Sequence, residues 1–295
     1  MHILKGYTKQ EISWMMYDWA NSAHSVIIVT LLPIFFDTVA GYTADSVSSM
    51  STWGYATSIA MLIVALAAPF LGVFGDIRGM RKKLFSFFML LGVAACAGMA
   101  FTPGMDFTSG PVAAGKVASL ILVLYIVSVI GFDASAIYYD AFLTDVTIED
   151  RMDKVSTMGY GLGYIGGSTI PLLIFLIMNL VGVPMLTCLA FVFGLTAVWW
   201  LAFSLPLLKN CEQTSGKPYE KGDVARSMKG VGTTIKEIIA NKPMLIYILS
   251  YFFYIDGVHT VISMATTYGT NLGLNSTGMM LALLLVQILG LPFCP

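Results

Sequence analysis

Eight long apolar segments follow one another along this chain, and the polar residues lie mostly between them. Each segment approaches the roughly 20 residues that a helix needs to cross a bilayer. Only 11% of the 295 residues are charged, against about 25% in a typical soluble domain. The pattern predicts an all-α polytopic membrane protein with about eight transmembrane helices, near Ile12–Phe36, Thr52–Gly75, Leu84–Phe101, Val117–Leu143, Thr157–Val181, Pro184–Leu208, Pro243–Thr267 and Ser276–Phe293.

The basic residues are distributed very unequally between the two sides of such a membrane. With the amino terminus in the cytoplasm, 15 of the 16 Lys and Arg residues fall on the inner side, and Lys116 is the exception. Inner loops are rich in Lys and Arg in membrane proteins. The first residues lack the early apolar region of a cleavable signal peptide. We therefore predict a multi-pass protein of the plasma (inner) membrane with its amino terminus in the cytoplasm.

A single long polar stretch divides the chain into three parts. Residues 1–208 hold six apolar segments, residues 209–242 form a central cytoplasmic loop, and residues 243–295 hold two more segments. Within the loop, apolar residues recur every three or four positions with basic residues between them. This spacing predicts an amphipathic helix on the inner membrane face, with a disordered linker as the alternative. The apolar positions are Val224, Met228, Val231, Ile235 and Ile238.

A short charged turn joins the second and third apolar segments. It contains the pattern G-x-x-x-D-x-x-G-x-[RK]-[RK] at Gly72, Asp76, Gly79, Arg81 and Lys82. We expect the Asp76 carboxylate to accept from the first N–H groups of the next helix. We expect Gly75 and Gly79 to permit a sharp reversal of the backbone. The pattern resembles the loop between helices 2 and 3 of the major facilitator superfamily, which implies a gating role and a fold of two six-helix halves.

Several longer stretches resemble the vacuole-effluxer-like branch of that superfamily. They are YDWANSA at 17–23, DRMDKVSTMGYGLGYIGG at 150–167 and YIDGVHT at 254–260. The branch is associated in fungi with amino-acid release from the vacuole after autophagy, so the resemblance implies a transporter and favours amino acids as cargo. Only two apolar segments follow the central loop, where the superfamily has six. We therefore expect this chain to be a truncated or interrupted form that does not transport alone.

Polar side chains form one face of three apolar segments. In the first segment, Asp18, Asn21, Ser22 and Ser25 lie at i, i+3, i+4 and i+7. Such a face lines a cavity or pairs with another helix, and a charge inside a span is rarely kept without a partner or a task. The alternative for Asp18 is a structural hydrogen-bond acceptor near the inner surface.

The seventh and fourth segments carry the other buried acids. Asp256 and Thr260 share one helical face, and His259 lies one turn from Asp256, where an Asp–His pair can pass on a proton. In the fourth segment, Asp133 lies near the centre of the span. We expect the proton- or cation-coupling residues to be Asp18, Asp133 and Asp256. The expected solute contacts are Asn21, Ser22, Ser25, His259 and Thr260.

Glycines spaced by four open the fifth segment, at Gly159, Gly163 and Gly167. Small residues at this spacing let two helices approach closely, which indicates either a moving contact or a static packing seam. Just before them, the mixed charges of Thr144–Ser156 lie on the same side of the membrane as the basic turn. Ion pairs between the two stretches, from Asp76 or Arg81, would latch that side.

These features favour a secondary active transporter that moves a small solute by alternating access, coupled to protons. An uncoupled facilitator and a non-transporting, receptor-like fragment remain the alternatives. An enzyme is disfavoured, since no nucleophile–base or metal constellation is present and the four cysteines are scattered. We expect no cofactor and no metal. The expected partners are a small-molecule solute, protons and membrane lipid, and the net charge of −1 gives no reason to expect nucleic acid.

Overall fold

The computed structural model describes residues 5–43, 48–216, 218 and 223–290. These residues are helical almost throughout. A single 3₁₀ turn, Thr102–Gly104, follows the third helix, and a π-helical segment, Gly163–Ser168, separates the fifth from the sixth. The α-helices are α1 Lys9–Ala40, α2 Ser49–Gly75, α3 Arg81–Met99, α4 Pro111–Val146, α5 Glu149–Leu162, α6 Thr169–Leu180, α7 Met185–Asn210, α8 Asp223–Ala240, α9 Lys242–Asn271 and α10 Ser276–Gly290.

Seven helical stretches in the described residues are long and apolar enough to cross a membrane. One of them, Glu149–Leu180, joins α5, the π segment and α6. The predicted all-α polytopic class is thereby confirmed. The eighth predicted segment differs: α10 is a helix of 15 residues, about 22 Å long at 1.5 Å per residue. A bilayer core is about 30 Å thick, so α10 is too short to count as an eighth span over the residues that are described.

Three of the helices begin at a polar cap that the sequence carries. Thr8 and Glu11 form a reciprocal pair at the start of α1: the Glu11 N–H donates to the Thr8 hydroxyl at 3.1 Å and the Thr8 N–H donates to Glu11 Oε2 at 2.7 Å. Ser48 caps α2 and Asn241 caps α9. Pro243 occupies the first turn of α9, as predicted, where its missing N–H has no helical partner to lose.

Helix α1 lies at the centre of the bundle. Its most apolar stretch is 72% buried, and it packs against α4, α5, the π segment and α7. Helix α9 has none of its most apolar stretch buried, and it packs against α1, α2 and α8. Met264 of α9 and Met280 of α10 lie against the same apolar cluster as α1, α2 and α4. The helices after the central loop therefore contact the first six spans.

The three-part division at 208 and 242 stays a prediction. A helix does occupy the predicted central loop, since α8 runs from Asp223 to Ala240. Its position against the membrane stays a prediction as well.

The π segment was not predicted. Thr169 follows this segment, and its hydroxyl donates to the carbonyl of Tyr164, five residues earlier, at 2.6 Å. Single π turns inside α-helices occur frequently at functional sites. This one coincides with the last two glycines of the predicted seam, Gly163 and Gly167.

Candidate functional site

The Asp18 carboxylate is fixed to α4. The Tyr139 hydroxyl donates to Asp18 Oδ2 at 2.8 Å, and both side chains are buried. Tyr139 is itself held by Trp14, whose indole N–H donates to the Tyr139 carbonyl at 2.9 Å and whose ring stacks on the tyrosine at 4.3 Å. Asp18 is thus a buried hydrogen-bond acceptor that joins α1 to α4.

The glycine seam packs directly on the polar face of α1. A Cβ atom at Gly159 would meet the Asp18 carboxylate, and one at Gly163 would lie 2.5 Å from the Ser22 hydroxyl. A Cβ at Gly167 would meet the carbonyl oxygen of Trp19. The sequence predicted the face and the seam separately. The structure brings them together, so that the polar face of α1 contacts the backbone of α5 and the π segment.

The other polar residues of this part of α1 differ in their burial and contacts. Asn21 is buried, and the Ser25 hydroxyl donates to the Ser22 carbonyl at 3.1 Å. His24 stacks on Phe132 of α4 at 4.8 Å, and its ring lies 5.0 Å from that of Trp200 in α7. Neither imidazole nitrogen has a hydrogen-bond partner among the described residues. The sequence analysis did not select His24 as a site residue.

Asp133 has a buried carboxylate oxygen, Oδ2, with no hydrogen-bond partner in the described part of the chain. It lies on α4 next to Phe132, the residue that stacks on His24. A buried oxygen of this kind is costly unless a proton, a water molecule or a ligand satisfies it. Asp140, seven residues further along α4, is exposed.

The candidates on α9 stand apart from those on α1 and α4. Asp256, His259 and Thr260 are all exposed, whereas Asp18 is buried. Thr260 does line a cleft of about 390 Å³ between α2 and α9. Hydroxyl groups dominate its polar lining, which comprises Ser51, Tyr55, Thr57, Ser58, Thr260 and Ser263.

The charged turn between α2 and α3 differs from the prediction in two details. Gly79 has a φ of +80° and makes the reversal possible. Gly75 instead allows close packing, since its Cβ would lie 3.0 Å from the ring of Tyr138. The Asp76 side chain is 85% exposed and does not cap α3. That expectation was wrong because a side chain from beyond α7 occupies the position.

Gln213 is the residue that caps α3. Its side-chain oxygen accepts from the N–H groups of Gly79 at 2.9 Å and Arg81 at 3.2 Å, and its amide donates to the Gly75 carbonyl at 3.0 Å. The next two residues bind Asp145 at the end of α4: the N–H groups of Thr214 and Ser215 donate to Asp145 Oδ1 at 3.1 and 2.8 Å. We call Gln213, Thr214 and Ser215 the turn clamp.

Arg81 is buried beneath the turn clamp. It forms an ion pair with Asp145 and donates to the Ala141 carbonyl at 2.9 Å and to the Ser215 hydroxyl at 3.2 Å. Asp76 lies 4.0 Å from its guanidinium group. The predicted ion pair between the turn and the stretch Thr144–Ser156 is therefore present. Of the other two residues in the pattern, Gly72 lies inside α2 and Lys82 is half-buried in the first turn of α3.

A second ion pair, missed from the sequence, joins the first turns of α1 and α5. Arg151 donates from Nε and from a terminal nitrogen to the two oxygens of Glu11, each at 2.9 Å. The Thr147 hydroxyl also donates to Glu11 at 2.7 Å. The Glu11 side chain is almost completely buried. Among the described residues, no group of three or more His, Cys, Asp or Glu side chains is arranged to hold a metal ion.

Comparison with known proteins shows which family this chain belongs to. The family model described as "vacuole effluxer Atg22 like" matches residues 41–292. The chain is 39% identical, over 299 aligned residues, to the uncharacterized MFS-type transporter YxiO of Bacillus subtilis, covering 99% of this chain and 67% of that protein. These names describe transporters rather than enzymes.

Two fungal proteins named autophagy-related protein 22-1 match over shorter regions. The one from Penicillium rubens is 26% identical over 159 residues, which cover 50% of this chain and 27% of that protein. The one from Sclerotinia sclerotiorum is 26% identical over 131 residues, covering 39% of this chain and 22% of that protein. With the family model matched along most of its length, the chain belongs to the vacuole effluxer Atg22-like family of major facilitator transporters.

Proposed function

We propose that this chain acts in secondary active transport, moving a small solute through the membrane by alternating access coupled to protons. The MFS-type relative and the effluxer family support the transport class. Amino acids are the favoured solutes, because the family name describes vacuolar effluxers and the fungal relatives are autophagy proteins. Asp18, Asn21, Ser22 and Ser25 on α1 and Asp133 on α4 form one part of the proposed pathway. Asp256, His259 and Thr260 on α9 form the other part.

The observation that carries this proposal is the unpartnered carboxylate oxygen of Asp133 within an apolar span. An acid kept in such a position without a protein partner marks an ion or solute pathway by default. A purely structural acid would be expected to resemble Asp18, which has its tyrosine partner at 2.8 Å. We therefore propose Asp133 as the first proton-coupling residue. Asp18 would take part only when its hydrogen bond with Tyr139 breaks.

The contact of α1 with α5 and the π segment suggests how solute movement and protonation are linked. The Asp18 carboxylate touches Gly159, so any sliding of α5 along α1 changes the surroundings of that acid. Glycines let the two backbones approach closely, with no side chain of α5 between them. We therefore propose that the seam at Gly159, Gly163 and Gly167 is a moving contact.

The turn clamp and the buried Arg81–Asp145 pair would hold the inner end of the first six spans rigid. The inner assignment follows from the 15 cations on that side. In this proposal the turn from Gly72 to Lys82 is a gating element, and its exposed acid, Asp76, is free to contact another part of the transporter during the cycle.

Transport assays in proteoliposomes test the proposal. The purified chain is reconstituted, and uptake of a panel of labelled amino acids is measured with and without an imposed pH gradient. Because the chain spans 67% of YxiO, a chimera that adds the remaining residues of YxiO is assayed in parallel. We expect saturable, gradient-driven uptake in at least one of the two proteins.

Variants of the acids separate coupled from uncoupled transport. Asp133→Asn keeps the side-chain size and loses the titration, so we expect it to abolish the dependence on the pH gradient. Asp150→Asn, at an exposed position, is the matched control and leaves the dependence unchanged. Saturable uptake that ignores the gradient in the unmodified protein would establish the uncoupled facilitator instead. Absence of saturable uptake of every panel member by both folded proteins would refute the transport proposal.

A further inference from the structure

Helix α8 has an apolar side that the described part of the chain leaves uncovered. Ile235 and Ile239, one helical turn apart, are 50% and 59% exposed. Four-residue spacing places them on one side of the helix. The helix lies between two membrane-spanning helices, α7 and α9, along the chain.

The flank of α8 beside this apolar side is partly covered. Val231 and Ile238 are half-buried, and α8 packs against α2 and α9. Helix α2 is itself mostly uncovered, with only 11% of its most apolar stretch buried. The helix therefore rests against a span-length apolar helix that the described residues leave largely uncovered, and its exposed isoleucines lie next to that contact.

Basic residues border the other edge of the apolar side. Lys229 and Lys236 are seven residues apart, which places them on one line along the helix, and both are exposed. Glu237 lies about 100° further round the helix from Lys236, away from the isoleucines. An exposed apolar strip with lysines along its edge is the arrangement of helices that lie in the membrane interface.

The junction with α9 keeps α8 close to the membrane. Helix α8 ends at Ala240 and α9 begins at Lys242, so only Asn241 separates them. The Asn241 side chain caps α9 by accepting from the Met244 N–H at 3.3 Å. Lys242 thus stands at the point where the span starts, beyond the end of the apolar strip.

We propose that α8 binds the lipid surface itself: Ile235 and Ile239 insert at the boundary of the inner leaflet, and Lys229, Lys236 and Lys242 bind anionic headgroups. The inner side rests on the orientation in the proposed function. Each lysine near an anionic surface strengthens attachment roughly fivefold. The helix is therefore expected to be seated more fully in membranes that contain anionic lipid than in zwitterionic ones.

Fluorescence quenching in lipid nanodiscs tests this in the full chain. An environment-sensitive fluorophore is attached to Ile239→Cys, or to Thr233→Cys on the polar side as the matched control, in a background without native cysteines. The discs contain brominated phosphatidylcholine, alone or mixed with brominated phosphatidylglycerol. We expect the label at 239 to be blue-shifted and quenched, more so with phosphatidylglycerol, and the label at 233 to be neither.

Lysine variants then separate headgroup binding from simple burial. Lys229→Gln with Lys236→Gln should remove the difference between the two lipid mixtures, whereas Lys83→Gln, at an exposed position in the first turn of α3, should leave it. Equal quenching at 239 and 233 would overturn the proposal. A blue-shifted label at 239 that brominated lipid does not quench would also overturn it, because protein would then cover the strip. Quenching is read without solute, so its outcome is independent of the transport assay.

Discussion

The Tyr139 hydroxyl and the Asp18 carboxylate are 2.8 Å apart, and their hydrogen bond ties α4 to α1 inside the membrane-spanning bundle. Gly159 of α5 touches the same carboxylate. Three helices therefore meet at one acid, and a substitution at Tyr139, Asp18 or Gly159 changes the surroundings of the other two residues.

Removing the tyrosine hydroxyl should destabilise the bundle. Tyr139→Phe keeps the ring that stacks on Trp14 but leaves the buried Asp18 oxygen without its donor. The expected loss is about 1–3 kcal/mol, measured as a lower midpoint of thermal unfolding in detergent. Tyr160→Phe, whose side chain is 61% exposed, is the control and should leave the midpoint unchanged. Equal midpoints for the two variants would show that the bond contributes nothing.

Adding one methyl group to the glycine seam should separate α1 from the π segment. In Gly167→Ala the new Cβ would meet the Trp19 carbonyl, a backbone atom that cannot move away, and we expect a loss of about 1–3 kcal/mol. Gly115→Ala in α4 meets no atom within 4 Å and is the matched control. It should be neutral or stabilising by up to about 1 kcal/mol, since alanine favours the helix.

The larger variant Gly163→Leu tests whether the glycine seam moves during transport. It should slow solute exchange far more than it lowers expression, because the bulky side chain obstructs a moving contact. Exchange at the unmodified rate in Gly163→Leu would show that the seam is static packing.

Breaking the pair under the turn clamp should cost more than changing an exposed cation beside it. Arg81→Ala leaves Asp145 with a buried charge, and the loss of one partner of such a pair costs about 3–5 kcal/mol. Gln213→Ala frees the donors of Gly79 and Arg81, which water can reach in part, so the expected loss is about 0.5–1.5 kcal/mol. Lys83→Ala, at an exposed position, is the control. Unfolding midpoints ranked otherwise would contradict this order.

Replacing His24 by phenylalanine tests whether its nitrogens matter for folding. His24→Phe keeps an aromatic ring between Phe132 and Trp200 and removes two buried nitrogens that lack partners in the described chain. The midpoint of thermal unfolding should stay the same or rise, because unsatisfied buried polar atoms are costly. A strongly lowered midpoint would mean that the imidazole is hydrogen-bonded in the membrane, for example to water.

Cysteine labelling tests the orientation. With the amino terminus inside, Ser109→Cys in the loop before α4 should react with a membrane-impermeant maleimide added to intact cells. Lys83→Cys in the first turn of α3 should react only after the membrane is opened. The reverse pattern would overturn the topology derived from the basic residues.

Apolar runs locate the spanning helices well and their ends poorly. The fourth segment was predicted from Val117 to Leu143, but α4 extends from Pro111 to Val146. The fifth was predicted from Thr157, yet α5 begins at Glu149, because polar residues outside the bilayer continue a helix as readily as apolar ones. A capping signal marks where a helix begins. The pair Thr8–Glu11 has the spacing of a capping box, and this signal would have placed the start of α1 correctly.

The candidate site was predictable residue by residue but not as an assembly. Asp18, Asp133 and the glycines stand out because acids and small residues are unusual in apolar spans. Their partners carry no such mark, since a tyrosine such as Tyr139 or a loop glutamine such as Gln213 is ordinary in its local sequence. Tyr139 lies 121 residues from Asp18, and Gln213 lies 134 residues from Gly79. Only the relative placement of the helices identifies these contacts.

The π segment Gly163–Ser168 also affects how residues are counted along this span. A π turn holds about one residue more than the α turn it replaces, so every residue from Thr169 onward is displaced by one position, about 100° around the axis. A relative that lacks the π turn should have one residue fewer between Gly159 and Pro171. An alignment that forbids a gap inside this helix would then pair residues that lie about 100° apart around the axis, and a substitution transferred between the two proteins would face a different neighbour.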